Sequence, residues 1–324
     1  MKVHVSAPAR LHLGDIDPFG LGRFGYAPIL AIDTPRTRVE AAPSRSLQVS
    51  GLEVDDARGY ATRVVNAFNL PGARVKVLST APRHSGFGST TQLALSIGQA
   101  ITRAYERAVD SVDLVTALNR TSTGGLHTFQ RGGFVVAGGL QIPPREPIFH
   151  REGALIPPLI LRAAFPEAWR FLLIHPLKAA PSPSGAAEED AFTTLHGEQP
   201  PSHLIHEAYF TLMAHLVPAV LEKDATAFGA ALTKIQVLVG RIYQPVQGSV
   251  FNPASAWLIP LLSRAGALGV GQSSWGPTVY AFVEDETRAI AMKDALRAEL
   301  EGRANVFIVK ADNAGATTSI LEAE

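Results

Sequence analysis

The chain has 324 residues, 46% of them hydrophobic and 18% charged, which is enough apolar matter for a large core and two domains and too much for disorder. Its 29 basic and 29 acidic side chains cancel to zero net charge, and no Lys/Arg run is present, so nucleic acid is not an expected partner. Cysteine is absent, which removes disulfides, thiolate nucleophiles and cysteine metal sites together.

The opening residues, Met1 to Arg10, are too short and interrupted for a signal peptide. No apolar run approaches the roughly 18 residues needed to span a bilayer, so a cytoplasmic protein with no membrane partner is expected. Strand-like runs at 3–6, 38–41 and 74–78 alternate with turn signals. The segment Pro82-Arg-His-Ser-Gly86-Phe-Gly88-Ser89-Thr90-Thr91-Gln92 then crowds small residues where a loop enters a helix. Backbone N–H groups exposed at such a terminus predict a bound anion, above all a phosphate. Leu93, Ile97, Ala100, Ile101, Ala104 and Tyr105 recur at spacings of three and four and predict one buried helix face, with Ser89 and Thr90 as caps. An isolated Gly-x-Gly-Ser match reads equally well as a tight turn before a capped helix.

A second helix is expected near 114–118, and Gly132-Gly-Phe-Val-Val-Ala-Gly-Gly139 reads as a short buried strand bracketed by glycines. The Pro-rich passage 142–158 marks a boundary or long connection. Beyond it, 169–175 fits a central strand. Leu204, Ala208, Leu212, Leu216 and Val220 outline a helix, and Asp224 caps another carrying Phe228, Ala231, Leu232, Ile235 and Val239. Asn252-Pro253 predicts a helix start with a stop near Gly266 and a kink at Pro260. A loop Gly271-Gln272-Ser273-Ser274-Trp275-Gly276-Pro277, a strand over 278–283, a charged helix over 285–301 and a strand over 305–310 complete an α+β pattern, with helices on one face of an antiparallel sheet.

Several side chains have two readings. Arg10 and His12 alternate with Leu11 and Leu13, so they share one face of a strand, either a cleft or a solvated side. Asp15 and Asp17 are either functional carboxylates or parts of an Asp-Ile-Asp-Pro turn. Arg131 is either an anion ligand or a surface arginine, and His127 either a substrate contact or a structural histidine. Gln272, Ser273, Ser274 and Trp275 offer donors beside an aromatic face, or a turn whose indole fills the core. Ser182, Ser184, Gly185 and Glu188-Glu189-Asp190 form either a mobile lid or a solvated linker, and Asp55-Asp56 reads as a turn. His203 and His206 read as a solvated helix face rather than a metal pair.

Three segments in order, Pro8-Ala-Arg-Leu-His-Leu-Gly14-Asp15, Pro82 to Thr90, and Gly269 to Gly276, resemble the three motifs of the GHMP kinase superfamily. The Gly-Ser-Thr-Thr-Gln-Leu-Ala-Leu run, Phe129-Gln-Arg131-Gly-Gly-Phe, and above all Ser274-Trp275-Gly276-Pro277 resemble its β-ribofuranosylaminobenzene 5'-phosphate synthase family. The resemblance implies a two-domain α+β GHMP-kinase-like fold: a ribosomal S5 domain 2-like N-terminal domain over 1–162 and a ferredoxin-like C-terminal domain over 163–324. It also implies reaction of phosphoribosyl pyrophosphate with 4-aminobenzoate or a close benzoate in the methanopterin pathway, with Mg2+ and as a homodimer. CO2 and pyrophosphate would leave and a C-riboside would form. On this reading Gly86, Gly88, Ser89, Thr90, Thr91 and Gln92 hold the leaving pyrophosphate. Asp15, the assigned Mg2+ ligand, is grouped with His127 and Arg131 as catalytic, and Arg10, His12, Gln272, Ser273, Ser274 and Trp275 bind substrate.

An ATP-dependent small-molecule kinase on the same fold is the alternative, and a catalytically silent binding protein a third. Kinases of this superfamily that use an aspartate base carry it shortly before the glycine pair, yet no aspartate lies between Asp113 and Asp190, and His127 occupies the matching stretch. A neutral histidine cannot both orient an acceptor hydroxyl and hold Mg2+.

Overall fold

A computed structural model describes residues 1–119, 124–141, 156–179, 183 and 185–321. Its strands are β1 (Lys2–His12), β2 (Phe24–Pro43), β3 (Gln48–Gly51), β4 (Ala73–Ser79), β5 (Phe134–Leu140), β6 (Leu159–Ala163), β7 (Arg170–Pro176), β8 (Gly269–Gln272), β9 (Val279–Val283), β10 (Ala304–Val309) and β11 (Thr317–Leu321). The helices are α1 (Val54–Ala67), α2 (Ser89–Ala104), α3 (Ser111–Ala117), α4 (Gly125–Arg131), α5 (Ala186–Gly197), α6 (Ser202–Thr211), α7 (Val217–Glu222), α8 (Ala225–Gln247), α9 (Leu258–Arg264), α10 (Glu286–Ala295) and α11 (Arg297–Leu300).

The first sheet runs β11-β1-β2-β4-β3, with β5 and β6 continuing from the other end of the long β2. Against it lies α2, itself covered by α1, α3 and α4. Burial of α2 is therefore not confined to the predicted stripe: thirteen of its sixteen residues are buried, Gln92, Ser96 and Thr102 included. The expected caps are corrected as well. The N-cap is Gly88, held at a φ of 70°, and no side chain caps the helix, so Ser89 and Thr90 fall inside the first turn.

The second sheet has the antiparallel order β10-β7-β9-β8, the ferredoxin-like arrangement that the resemblance implies. Alternation along β7 sends Phe171 and Leu173 to one face, and Leu172 and Ile174 to the other. The second pair packs with Leu258, Leu262 and Met292 of α9 and α10. The first pair meets Phe228, Leu232 and Ile235 of α8, together with Leu11 and Phe134 of the first sheet and Leu13 just beyond β1. Helices thus cover both faces, not one, and the inner face is a core shared by the two halves.

The division at 162/163 is crossed twice. Strand β6 spans it while pairing with β5, and β11 returns the end of the chain to pair with β1. Three local expectations also change. Asp55 and Asp56 lie in the first turn of α1. The helix after Asn252 starts only at Leu258, because Asn252 first closes a turn by accepting from Ala254, Ser255 and Ala256, and Pro260 then falls in the first helical turn, where its missing N–H costs nothing. The third concerns 202–222: α6, a five-residue π turn at Leu212–Leu216 and α7 form one run long and apolar enough to span a bilayer, contrary to the sequence reading, yet Ile205, Ala208, Leu212, Leu216 and Val220 are buried in the core. The candidate lid serines Ser182 and Ser184, and most of the Pro-rich passage, lie outside the described residues.

Phe228 meets Phe165, Trp169 and Phe282 at ring separations of 5.3, 5.2 and 4.8 Å. Truncation of this fully buried ring in Phe228→Ala should destabilise the chain by about 3–5 kcal/mol, read as a lowered urea midpoint.

Candidate functional site

The end of β1 is where the two halves are stitched together. Backbone N–H and C=O groups buried there require partners, and several come from the second half. The Ser273 hydroxyl accepts from His12 N at 3.0 Å and donates to the Gly86 carbonyl at 2.7 Å, joining β1, the glycine loop and the loop after β8 through one atom. Ser274 N donates to the His12 carbonyl at 3.3 Å. Gln236 of α8 donates from Nε2 to the Leu13 carbonyl at 2.7 Å and accepts from Gln272 N at 2.8 Å.

The glycine loop is held by the same junction. Arg10 N donates to the Phe87 carbonyl and the Arg10 guanidinium to the Gly86 carbonyl at 2.8 Å, while the Phe87 ring is buried in the shared core. Gly86 and Gly88 both have positive φ, and the space confirms the need: a Cβ on Gly86 would sit 2.2 Å from the Ser273 carbonyl oxygen. Helix geometry leaves the N–H groups of residues 89–91 without intrahelical acceptors, at the positive end of the α2 dipole.

Arg10, His84, Gly86, Phe87, Gly88, Ser89, Thr90, Pro183, Glu188, Ser274 and Trp275 line one open cleft of about 440 Å³. One wall offers backbone donors, two hydroxyls and a guanidinium. The other offers the indole of Trp275, whose Nε1 donates to Glu188 Oε1 at 3.1 Å. Trp275 is mostly buried, edge-on to Phe192 and Tyr243 at 6.0 and 5.0 Å, so it belongs to an aromatic cluster and presents its rim to the cleft. Burial lowers the Arg10 pKa to about 10, with Glu188 opposing the shift, and the guanidinium remains charged at neutral pH.

Asp15 sits beside this cleft rather than on its wall. Burial pushes its pKa up to about 7; a hydrogen bond from Tyr243 opposes that shift, and Asp17 and Glu188 add to it. Its buried Oδ1 has no hydrogen-bond partner. Asp17 is fully buried and accepts from the backbone N–H groups of Leu21, Gly22 and Arg23 at 3.0, 2.7 and 3.1 Å, so for this carboxylate the turn reading holds.

The remaining predicted residues separate. Thr91 and Gln92 point away from the cleft into the fold: Gln92 is fully buried and donates to the Gly125 carbonyl at 2.9 Å, anchoring α4. His12 is buried beneath Arg10 with Nδ1 unpartnered, and burial holds its pKa near 3, hence neutral. Gln272 is occupied in structure, bonded to Asn252 N, Gln247 and the Ser274 carbonyl. His127 is buried on α4 with Nε2 bonded to the Pro157 carbonyl at 2.8 Å, and Arg131 is exposed at the C-terminal end of that helix. Neither lines the cleft, because the α4 backbone directs them elsewhere. Two residues were not among the expected site residues: Glu188, left open between a lid and a solvated linker, and Tyr243, an aromatic on an otherwise aliphatic helix face that carries no motif.

The fold and the sequence match known proteins. Residues 57–130 match the GHMP kinases N terminal domain, and residues 216–302 match GHMP kinases C terminal. Over 96% of this chain and 98% of its own length, the β-ribofuranosylphenol 5'-phosphate synthase of Methanocaldococcus jannaschii is 27% identical. The protein of that name from Methanothermobacter thermautotrophicus is 28% identical over 98% of each chain. The chain belongs to the β-ribofuranosylaminobenzene 5'-phosphate synthase family of the GHMP kinase superfamily. Among solved structures, L. major mevalonate kinase in complex with R-mevalonate superimposes with a TM-score of 0.69 over 96% of each chain at 14% identity, a likeness of fold.

Gly86→Ala places a methyl group against the Ser273 carbonyl and imposes a positive φ on alanine. Isothermal titration with inorganic pyrophosphate should show binding abolished in this variant, with a lowered Tm. Asp15 yields a stability prediction of defined sign. Its folded pKa of about 7 lies above the ordinary 3.8, so the folded state binds the extra proton and the carboxylate destabilises the fold increasingly as pH rises between those values. In metal-free buffer Asp15→Asn should have a higher Tm than the parent at pH 8, and thermal melts should show that advantage vanish as pH falls towards 4.

Proposed function

We propose that the chain condenses phosphoribosyl pyrophosphate with a 4-substituted benzoate, releasing CO2 and pyrophosphate and forming a C-riboside 5'-phosphate in the methanopterin pathway. The observation that carries this reading is that one cleft joins an anion cradle, Gly86 to Thr90 with Arg10, to an aromatic and carboxylate wall, Trp275 and Glu188. Such a site suits a polyphosphate donor facing an aromatic acceptor. Full-length likeness to the archaeal synthases supports the same reaction class, and because they are named for a phenol product, 4-hydroxybenzoate stands beside 4-aminobenzoate as acceptor.

Departure of pyrophosphate builds negative charge on the leaving group and positive charge on ribose C1. The α2 terminus and the Ser89 and Thr90 hydroxyls would meet the developing anion in a preorganised geometry, with the charge of Arg10 adjoining. Residues present fit a Mg2+ ion in a limited way. Among the described residues no group of three or more His, Asp or Glu side chains could cage a metal, but Mg2+ is ordinarily held by one or two carboxylates plus substrate phosphates. Asp15, with a buried and unpartnered oxygen, is the carboxylate that would hold it. When bound, the ion would neutralise charge on the leaving pyrophosphate. The ring carbon bearing the carboxylate attacks ribose C1, and loss of CO2 restores aromaticity, so the protein needs no covalent intermediate.

Incubation with phosphoribosyl pyrophosphate, Mg2+ and carboxyl-labelled 4-hydroxybenzoate or 4-aminobenzoate should release labelled CO2 and pyrophosphate in equal amounts. No labelled CO2, with ADP formed from ATP and a small alcohol, would overturn the reading in favour of a kinase.

A further inference from the structure

We propose that Glu188 is a catalytic residue of this reaction: its carboxylate receives the proton of the acceptor's 4-substituent while the ring attacks, and returns it after CO2 leaves. The inference rests on the synthase reading above. Four features of the structure carry it. Glu188 stands in the first turn of α5 and lines the same cleft as the glycine loop. The carboxylate is aimed by a bond from the Trp275 indole at 3.1 Å, and that indole is itself fixed edge-on against Phe192 and Tyr243. A carboxylate offers roughly four acceptor positions, so a substrate donor can share the group with the partners it already has. Finally, the other candidate groups lie off the cleft wall: Asp15 stands beside it, bonded to Tyr243 and with its free oxygen assigned above to the metal, and His127 is bonded to the Pro157 carbonyl.

The chemistry explains why a base belongs on the aromatic wall and not at the phosphate loop. The attacking ring carbon lies para to the hydroxyl or amino group, which supplies the electron density for attack. As the bond from that carbon to ribose C1 forms and the C1–O bond to pyrophosphate breaks, positive charge spreads to the 4-substituent. Transfer of its O–H or N–H proton to Glu188 leaves a neutral dienone or imine. The bond to the carboxylate then breaks, its electron pair restores the aromatic ring, CO2 leaves, and the proton returns from Glu188 to the oxygen or nitrogen. Glu188 ends as it began, and no further reactant is consumed.

Glu188→Gln keeps the size and the indole hydrogen bond but cannot take a proton. It should bind inorganic pyrophosphate like the parent, and its KM for phosphoribosyl pyrophosphate should be little changed. Its kcat with 4-hydroxybenzoate should fall roughly 100-fold or more, the scale of lost general-base assistance. The fall should be smaller with 4-aminobenzoate, whose neutral amine is already a strong electron donor. A variant that turns over both acceptors like the parent overturns this proposal alone, as does one whose loss is entirely in pyrophosphate affinity. If the unaltered chain forms no C-riboside from either acceptor, the synthase reading falls and this proposal falls with it.

Discussion

A single buried hydroxyl, that of Ser273, holds the architecture of the site together. It accepts from the buried backbone N–H of β1 at His12 and donates to the backbone of the glycine loop at Gly86, a carbonyl that the Arg10 guanidinium also reaches. Leaving the buried His12 N–H unpaired would cost about 1–3 kcal/mol, so the loop, the first sheet and the second half are constrained to one relative placement. Gln236 repeats the device one residue pair further along, between Leu13 and Gln272. The phosphate loop is therefore not a free-standing turn before a helix. Its conformation is set from the opposite half of the chain.

The shared core serves the same constraint. Phe171, Leu173 and Phe228 pack with Leu11, Leu13 and Phe134 across the two sheets, so the halves are joined by apolar contact as well as by the polar junction. Return of β11 to the first sheet closes the chain around that core. A cleft formed at such a seam draws one wall from each half: Arg10 and the loop from the first, Ser274, Trp275 and Glu188 from the second. Two substrates of opposite chemical character, a polyphosphate and an aromatic ring, suit walls of different origin.

Legibility of the site in the sequence depended on whether a residue's role is local. Gly86 and Gly88 were readable because a positive φ and a close approach demand glycine wherever they occur. Asp224 was readable as a cap because its carboxylate reaches only as far as Ala227. Asp17 had an equally local role, yet it shares a short segment with Asp15, and nothing in the order of residues separates a carboxylate spent on three backbone N–H groups from one left with an unpartnered oxygen. Glu188 was legible only as part of a lid or linker and Tyr243 not at all, since each matters through a partner far along the chain.

Periodicity, glycine placement and the three short motifs, taken alone, determined the α+β class, the central strands and long helices, the glycine loop and the family, because strand alternation, helix period and turn chemistry act over a few residues; α1, α4, α5 and the short or edge strands β3, β6, β8 and β11 carried no such pattern. Tertiary structure decided what those motifs face. It sent His12, Gln92, Gln272 and His127 into structural hydrogen bonds or burial and brought Glu188 beside Arg10 and Trp275. The physical reason is that a polar side chain's role is settled by whichever unpaired group folding places within about 3 Å of it, and that neighbour can lie anywhere in the chain.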